Sequence, residues 1–212
     1  MGDAARRGAF FSFNISRRSV LRAAGTLIAG ASLAPAEALA AIARGPDRRL
    51  NLQIAHTGET FRDVYWSEGQ YVPDAMGQID QLLRDRHCDS IMAMDPRLLD
   101  LLNTLQRQVG PERPFEVVSA YRTEETNQLL REEGIHAAKH SYHITGQAVD
   151  VRVPDVSLRQ LYNSARALKA GGVGYYPRAH FVHLDVGDVR HWEGNPAQVT
   201  PHPRHHRQTR RL

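Results

Sequence analysis

The sequence predicts an α+β fold in which a central antiparallel sheet is flanked by helices. Two kinds of segment occur between residues 50 and 186. In short segments the apolar residues recur with a period of two, which is typical of strands, and in longer ones they recur every three or four residues, which is typical of helices. No internal repeat is visible, so a single domain accounts for the pattern.

Five short segments have the composition of strands, with β-branched and aromatic side chains enriched. They are residues 50–54, 60–66, 115–121, 148–153 and 181–186. Residues 171–176 contain three glycines, and we predict a glycine-rich turn there.

Four segments predict helices. The strongest follows Asp95-Pro96, because an aspartate caps the first turn, a proline fits its first position and Gly110 ends the apolar pattern. The other three are a helix capped by Asp74, a short one over residues 123–133, and one over residues 156–170 capped by Ser157.

The N-terminus has the layout of an export signal. Arg17-Arg18 precede a weakly apolar run over residues 23–34, and Ala38-Leu39-Ala40 resembles a signal-peptidase site. The paired arginines indicate the twin-arginine route. We therefore predict a signal over residues 1–40, a linker over 41–49, and a periplasmic protein. An amphipathic helix that stays on the protein, a cut after Ala43 and an uncleaved signal that tethers the chain to the membrane are the alternatives.

The apolar run of the signal is too short for a stable membrane span, so none is expected once the signal is removed. The net charge is +4, and the positive charge lies at the two ends of the chain. Residues 1–40 carry +3 and residues 197–212 carry +4, which leaves the intervening chain at −3. A nucleic-acid-binding domain carries its positive charge on the folded part, so we expect no nucleic-acid partner.

The single cysteine, Cys88, cannot form an intrachain disulfide or belong to a zinc–thiolate cluster. A chain that folds in the reducing cytosol before export needs no disulfide. Residues 196–212 are rich in Pro, His and Arg, and we predict a disordered tail that follows a domain over residues 50–195.

Three residues have the types and the spacing of a catalytic zinc site. Such a site takes three protein ligands from His and Asp or Glu and leaves one position for water. His143, Asp150 and His183 supply such a set, with two of them on predicted strands. The alternative for Asp150 is a structural ion pair with Arg152, which shares its strand face.

The motif S-x-H-x-x-G-x-A-x-D, from Ser141 to Asp150, resembles the zinc motif of the D-Ala-D-Ala metallopeptidases, which belong with the lysostaphin-type and hedgehog-type zinc folds. Over roughly residues 50–194 the chain is similar to their YcbK-like or MepK-like branch of murein endopeptidases. The segments that carry this similarity are residues 146–152, 170–176 and 181–185.

The resemblance implies a hedgehog/D-Ala-D-Ala peptidase-like fold with a Zn²⁺ site on the sheet, held by His143, Asp150 and His183. It implies that Arg122, in the Ser-x-Tyr-Arg motif, binds and polarises the substrate. The implied activity is hydrolysis of peptide cross-links in peptidoglycan, with the peptide stems as substrate. We expect a monomer.

One position departs from the family pattern. Many members carry a glutamate as general base three residues before the last histidine, and this chain has His180 there. A neutral imidazole can accept a proton from water. Strict strand alternation places His180 on the face opposite His183, so it can serve only if the strand begins irregularly. Asp185 is the rival, either as base or as the partner that orients His183. We expect His140 to be exposed or to line the groove.

Other functions remain open at this point. The chain could be a D,D- or L,D-carboxypeptidase that trims stem ends, or a catalytically silent peptidoglycan-binding module. A third hypothesis is metal storage or delivery by the tail, through His202, His205 and His206. The sequence does not decide between D-Ala–diaminopimelate and diaminopimelate–diaminopimelate links.

Overall fold

A computed structural model describes residues 45–110, 112–135 and 137–194. Within those ranges it contains β1 (Arg48–Ile54), β2 (Thr60–Ser67), β3 (Gln70–Tyr71), α1 (Pro73–Leu82), α2 (Pro96–Val109), β4 (Phe115–Ser119), α3 (Glu124–Glu132), β5 (Ala148–Arg152), α4 (Leu158–Leu168), β6 (Gly172–Tyr176), β7 (Phe181–Asp185) and β8 (Arg190–Glu193). The predicted signal over 1–40 and tail over 196–212 lie outside the described residues. No helix in the described ranges is both long and apolar enough to cross a bilayer.

All eight strands join one sheet in the order β3-β2-β1-β4-β5-β7-β6-β8. Five neighbouring pairs are antiparallel, whereas β1 with β4 and β6 with β8 are parallel. The prediction of an α+β fold is confirmed, but the sheet is mixed and not wholly antiparallel as predicted. A parallel pair needs a long crossover, and α1 and α2 supply it between β1 and β4.

The segment predicted as a glycine-rich turn is a strand, β6. Gly171 and Gly172 are needed because the chain leaving β7 crosses the start of β6 on its way to β8. A Cβ on Gly171 would overlap the backbone carbonyl of Asp185, and one on Gly172 would overlap the side chains of Asp185 and Arg190. The glycines therefore permit a close crossing and do not mark a reversal of the chain.

The core lies between the helices and one face of the sheet. In β5 and β7 the residues of this face are apolar: Val149 is opposite Leu184, and Val151 is opposite Val182. All four are buried, and α4 packs against β6 and β7 while α2 packs against β1. Because side chains alternate along a strand, the residues between them face the other side of the sheet.

The helix boundaries show which local signals were read correctly. Asp95 accepts a hydrogen bond from the Arg97 backbone N–H, and Ser157 accepts one from Gln160, as N-cap residues do. The prediction that Asp74 caps a helix is wrong. Pro73 begins α1, the N-cap is Val72, and Asp74 lies in the first turn, where its charge is favourable to the helix dipole.

Candidate metal centre

The side chains of His143, Asp150 and His183 converge on one point. One ligand atom from each lies within 4.8 Å of the other two, and all three residues are buried or nearly so. Asp150 on β5 is directly opposite His183 on β7, so neighbouring antiparallel strands place the two side chains side by side. His143 comes from the loop that precedes β5.

Two long-range backbone hydrogen bonds hold that loop. Its Gly146 has φ of 67° and its carbonyl accepts a hydrogen bond from the backbone N–H of Asp95. A Cβ at this position would lie 2.8 Å from the carbonyl oxygen of Ala93, so only glycine fits both the conformation and the contact. The His143 carbonyl in turn accepts from the N–H of Arg122. The loop histidine is thus held in place by long-range backbone contacts.

The hydrogen bonds determine which ring nitrogens face the centre. His143 Nδ1 is 2.6 Å from the carbonyl oxygen of Ala120, and because a carbonyl can only accept, Nδ1 carries the proton and Nε2 is the free acceptor. The Nε2 atom lies 3.2 Å from His183 Nδ1 and 3.4 Å from Asp150 Oδ1. His143 therefore presents Nε2 to the centre, and His183 presents Nδ1.

The electrostatics of Asp150 and His143 suit a cation. Burial, the largest influence on Asp150, would raise its pKa, but His143 and His183 together bring that pKa well below its ordinary value. Burial lowers the pKa of His143, which favours the neutral imidazole that a metal needs. Burial, the largest influence on His183, lowers its pKa, but Asp150 and Asp185 outweigh burial and raise that pKa, so a bound metal would displace a proton from this ring. The ion pair considered as an alternative for Asp150 is not formed, since Arg152 binds Glu116 at 2.6 Å.

Asp185 is fully buried behind His183 and does not reach open solvent. Its Oδ2 lies 3.0 Å from His183 Nε2, and Arg190 Nη2 donates to the same oxygen at 2.7 Å. Its Oδ1 accepts from the backbone N–H groups of Gly172 and Gly187. Burial, the largest influence, raises the pKa of Asp185, but His183 and Arg190 outweigh it and lower the value to about 2. A carboxylate so fully hydrogen-bonded orients its histidine and is poorly placed to accept a proton from water.

Comparisons with known proteins show the family of this chain. The family model described as peptidoglycan L,D-endopeptidase MepK matches residues 43–192, which is most of the chain and includes all three converging residues. The chain belongs to the MepK family.

Two curated relatives illustrate the similarity. The chain is 37% identical over 180 residues to the peptidoglycan L,D-endopeptidase MepK of Escherichia coli K12, covering 85% of this chain and 98% of the relative. It is 34% identical over 171 residues to the probable peptidoglycan L,D-endopeptidase MepK of Haemophilus influenzae, covering 80% and 92% respectively.

His180, the sequence candidate for the general base in this MepK-family chain, is exposed and has φ of 56°. It is the last residue of the turn before β7, which begins at Phe181. The strand thus begins irregularly at this residue, so strict alternation does not govern the direction of the His180 side chain. No hydrogen bond or ion pair within the described ranges engages the ring. His140 is exposed, as expected.

Arg122 lies just beyond the end of β4, two residues after Ala120, whose carbonyl oxygen binds His143. Its Nε is buried and has no hydrogen-bond partner in the part of the chain that the structure describes. Burial, the largest influence, lowers the pKa of the guanidinium, although the charge of Asp150 acts in the opposite direction. A buried donor without a partner is costly, and a ligand can satisfy it.

An aromatic group beside the centre was missed by the sequence analysis. Tyr176 stacks on Phe181 with ring centroids 4.7 Å apart, and the Trp192 ring lies 5.3 Å from that of His183. Trp192 Nε1 donates to the Tyr176 hydroxyl at 2.8 Å. β8 was not predicted, so nothing placed Trp192 near the centre. The small residue Gly174, on which Trp192 packs, was the available signal.

Proposed function

We propose that this chain is a zinc-dependent endopeptidase that hydrolyses peptide cross-links of peptidoglycan. The observation that carries the proposal is the convergence of His143 Nε2, Asp150 Oδ1 and His183 Nδ1 in a chain of the MepK family. The relatives named above are described as peptidoglycan L,D-endopeptidases, which supports this substrate and this reaction.

The three side chains fit zinc. Two imidazole nitrogens and one carboxylate oxygen form a set that catalytic zinc sites use, leaving a further position open. Among the described residues the ion-pair partners of Asp150 are the two histidines and not an arginine, so a metal cation held between these three groups would balance its buried charge. When bound there, zinc supplies Lewis acidity, which polarises a peptide carbonyl and makes water a better nucleophile.

Three other side chains have separate roles in the proposed reaction. Arg122 offers a fixed positive charge and an unpaired donor to the substrate, so it binds and polarises the peptide beside the centre. His180 accepts the proton of the attacking water and passes it to the leaving amine. Asp185 holds His183 in the orientation that presents Nδ1.

The stereochemical class in the relatives' names bears on which link is cut. An L,D-endopeptidase cleaves a bond from an L-centre carbonyl to a D-centre amine. The direct diaminopimelate–diaminopimelate cross-link has this configuration, whereas the D-Ala–diaminopimelate link joins two D-centres. We therefore propose the direct link as substrate.

Peptidoglycan lies outside the cytoplasmic membrane, so this substrate requires an exported enzyme. The paired arginines of the predicted signal over residues 1–40 support a twin-arginine route to the periplasm. We propose that the enzyme acts there as a monomer, with residues 50–195 as its catalytic domain and 196–212 as a tail that the reaction does not need.

The deciding experiment is digestion of purified, cross-linked peptidoglycan by the purified protein, with products separated by mass-resolved chromatography. We expect cross-linked dimers to become monomers, activity to stop with a chelator, and zinc to restore it. Trimmed stems with intact dimers would indicate a carboxypeptidase. Unchanged peptidoglycan with one zinc bound would indicate a binding module.

A further inference from the structure

Tyr176 lies on the same face of the sheet as the candidate metal centre. In the β6–β7 pair Gly174 is opposite His183, and Tyr176 follows two residues later on β6. Because side chains two apart on a strand share a face, Tyr176 projects on the side of His183, and the intervening Tyr175 projects toward α4. The ring of Tyr175 accordingly packs on Tyr162, with centroids 5.2 Å apart.

The position of the Tyr176 ring is held by its neighbours. Phe181 stacks on it, and Trp192 donates its indole N–H to the phenol oxygen at 2.8 Å. Trp192 can reach this position because Gly174 has no side chain: a Cβ there would lie 2.6 Å from the indole ring. Two rings from different strands therefore keep one hydroxyl in place.

Because Trp192 is the donor in its hydrogen bond with Tyr176, the proton of the Tyr176 hydroxyl takes no part in that bond. An indole N–H can only donate, so the Tyr176 oxygen is the acceptor and its own O–H must find another partner. No acceptor for that O–H is found among the described residues. A phenol is protonated at neutral pH, so the group is a donor.

The phenol also lies close to the groups that would handle the substrate. The Tyr176 oxygen lies 2.8 Å from Trp192 Nε1, and the Trp192 ring lies 5.3 Å from that of His183, so the phenol borders the candidate centre. Tyr176 is half-buried, so a bound peptide can reach it. A half-buried donor beside the centre suits an oxygen that becomes negative during the reaction.

We propose that Tyr176 donates a hydrogen bond to the carbonyl oxygen of the peptide bond under attack, and that Trp192 is the positioning residue that directs this donor. The proposal rests on the proposed function. Tyr176 thus adds a second, neutral donor to that of Arg122, and its hydrogen bond strengthens as negative charge develops on the substrate oxygen.

The test uses three variants: Tyr176→Phe, Trp192→Phe and the double variant that combines them. The control is Tyr175→Phe, which removes the matched hydroxyl on the opposite face of the sheet. Zinc content and thermal unfolding are measured for each. We expect Tyr176→Phe to lower kcat on a cross-linked stem dimer on the order of 10²-fold with little change in KM. Trp192→Phe should lower kcat less, and the double variant should be no slower than Tyr176→Phe, because Trp192 acts through Tyr176.

A binding measurement supplies a second criterion. A stem peptide with a phosphinate in place of the scissile bond carries tetrahedral oxygens that imitate the attacked carbonyl. Calorimetry should show weaker binding of this analogue to Tyr176→Phe by about the factor lost in kcat/KM, with unchanged binding of an uncleavable stem monomer.

Three results would overturn the inference in whole or in part. If Tyr176→Phe has the same kcat as Tyr175→Phe, the Tyr176 hydroxyl does not contribute to catalysis, and the proposed function still stands. If the losses from Tyr176→Phe and Trp192→Phe multiply, Trp192 does not act by positioning Tyr176. A wild-type protein that leaves every cross-link intact overturns the proposed function and this inference together.

Discussion

Asp185 Oδ2 lies 3.0 Å from His183 Nε2, and both atoms belong to the buried side of the candidate centre. This contact determines that His183 meets the centre through Nδ1, the ring nitrogen nearer the backbone. Arg190 and two backbone N–H groups keep Asp185 charged and fixed. The Asp185–His183 contact therefore couples the orientation of the candidate ligand His183 to the place where the chain crosses from β7 to β8.

Asp185→Asn should weaken zinc binding by about 10- to 100-fold, because the amide neither fixes the tautomer of His183 nor raises its basicity. The measurement is competition with a chromophoric chelator on the folded protein. Asp188→Asn, an exposed acid three residues later, is the matched control and should bind zinc like the wild type. Equal affinities in the two variants would contradict the orienting role.

His143→Ala should remove the one tight zinc and all cleavage, since the buried imidazole presents Nε2 to the centre. The matched control is His140→Ala, which truncates an exposed histidine three residues earlier. Metal content by atomic absorption checks both variants. If removal of residues 197–212 abolished zinc binding while His143→Ala retained it, the metal site would belong to the tail.

His180→Asn should lower kcat by about 10²- to 10⁴-fold, the usual contribution of a general base. Asparagine tolerates the left-handed backbone of His180 better than alanine does, so the substitution tests chemistry more than strain. Added imidazole should restore part of the rate. An unchanged kcat would require another proton acceptor.

Arg122→Met should abolish most of the activity without lowering the midpoint of thermal unfolding. The wild-type guanidinium has a buried Nε that no described residue pairs with, so its removal relieves a desolvation cost while it deprives the substrate of a charge. Arg122→Lys keeps the charge but loses the planar donor array, and should show intermediate kcat/KM. A large loss of stability in Arg122→Met would indicate a structural role instead.

Acid should weaken the fold partly through Asp95, which caps α2 and binds Gln147 of the His143 loop. Hydrogen bonds from Arg97 lower the pKa of Asp95 from 3.8 to about 2. A lowered folded pKa stabilises the protein above the unfolded value, and this contribution is lost as the pH falls from about 4 through 2. After allowance for screening by solvent, we expect about 1 kcal/mol.

Denaturant unfolding of the wild type and Asp95→Asn at pH 6, 4 and 3 measures this contribution. Asparagine retains the capping oxygen, so the difference between the proteins isolates the charge. The gap in free energy of unfolding should narrow as the pH falls. A gap that is constant with pH would show that the charge of Asp95 does not contribute.

Local patterns in the sequence were sufficient for the helices and for the choice of candidate ligands. Asp95 and Ser157 were recognisable as caps because a cap satisfies backbone groups only two or three residues away. Asp150 was recognisable because a carboxylate within an apolar strand needs a cation or a partner. The family motif added His143 and His183 as its companions.

Contacts between residues distant in the chain decided the rest. The sequence did not reveal that the chain leaving β7 crosses the start of β6 and returns as β8, because that depends on how closely a neighbouring backbone approaches Gly171 and Gly172. The sequence therefore could not predict the contact between Trp192 and Tyr176. The sequence also left two roles open for Asp185, general base or the partner that orients His183. Its burial and its hydrogen bonds from Arg190 favour the orienting role.

The sequence by itself determined the helices, the Asp95 and Ser157 caps and most of the strands, since each depends on residue type and local spacing, and with the family motif it nominated the three side chains that could bind zinc. Only the tertiary structure decided which nitrogen of each histidine faces the centre, that the sheet is mixed, and that an indole directs a phenol beside the site. These features arise from hydrogen bonds and packing between separate strands, whose pairing no local pattern specifies.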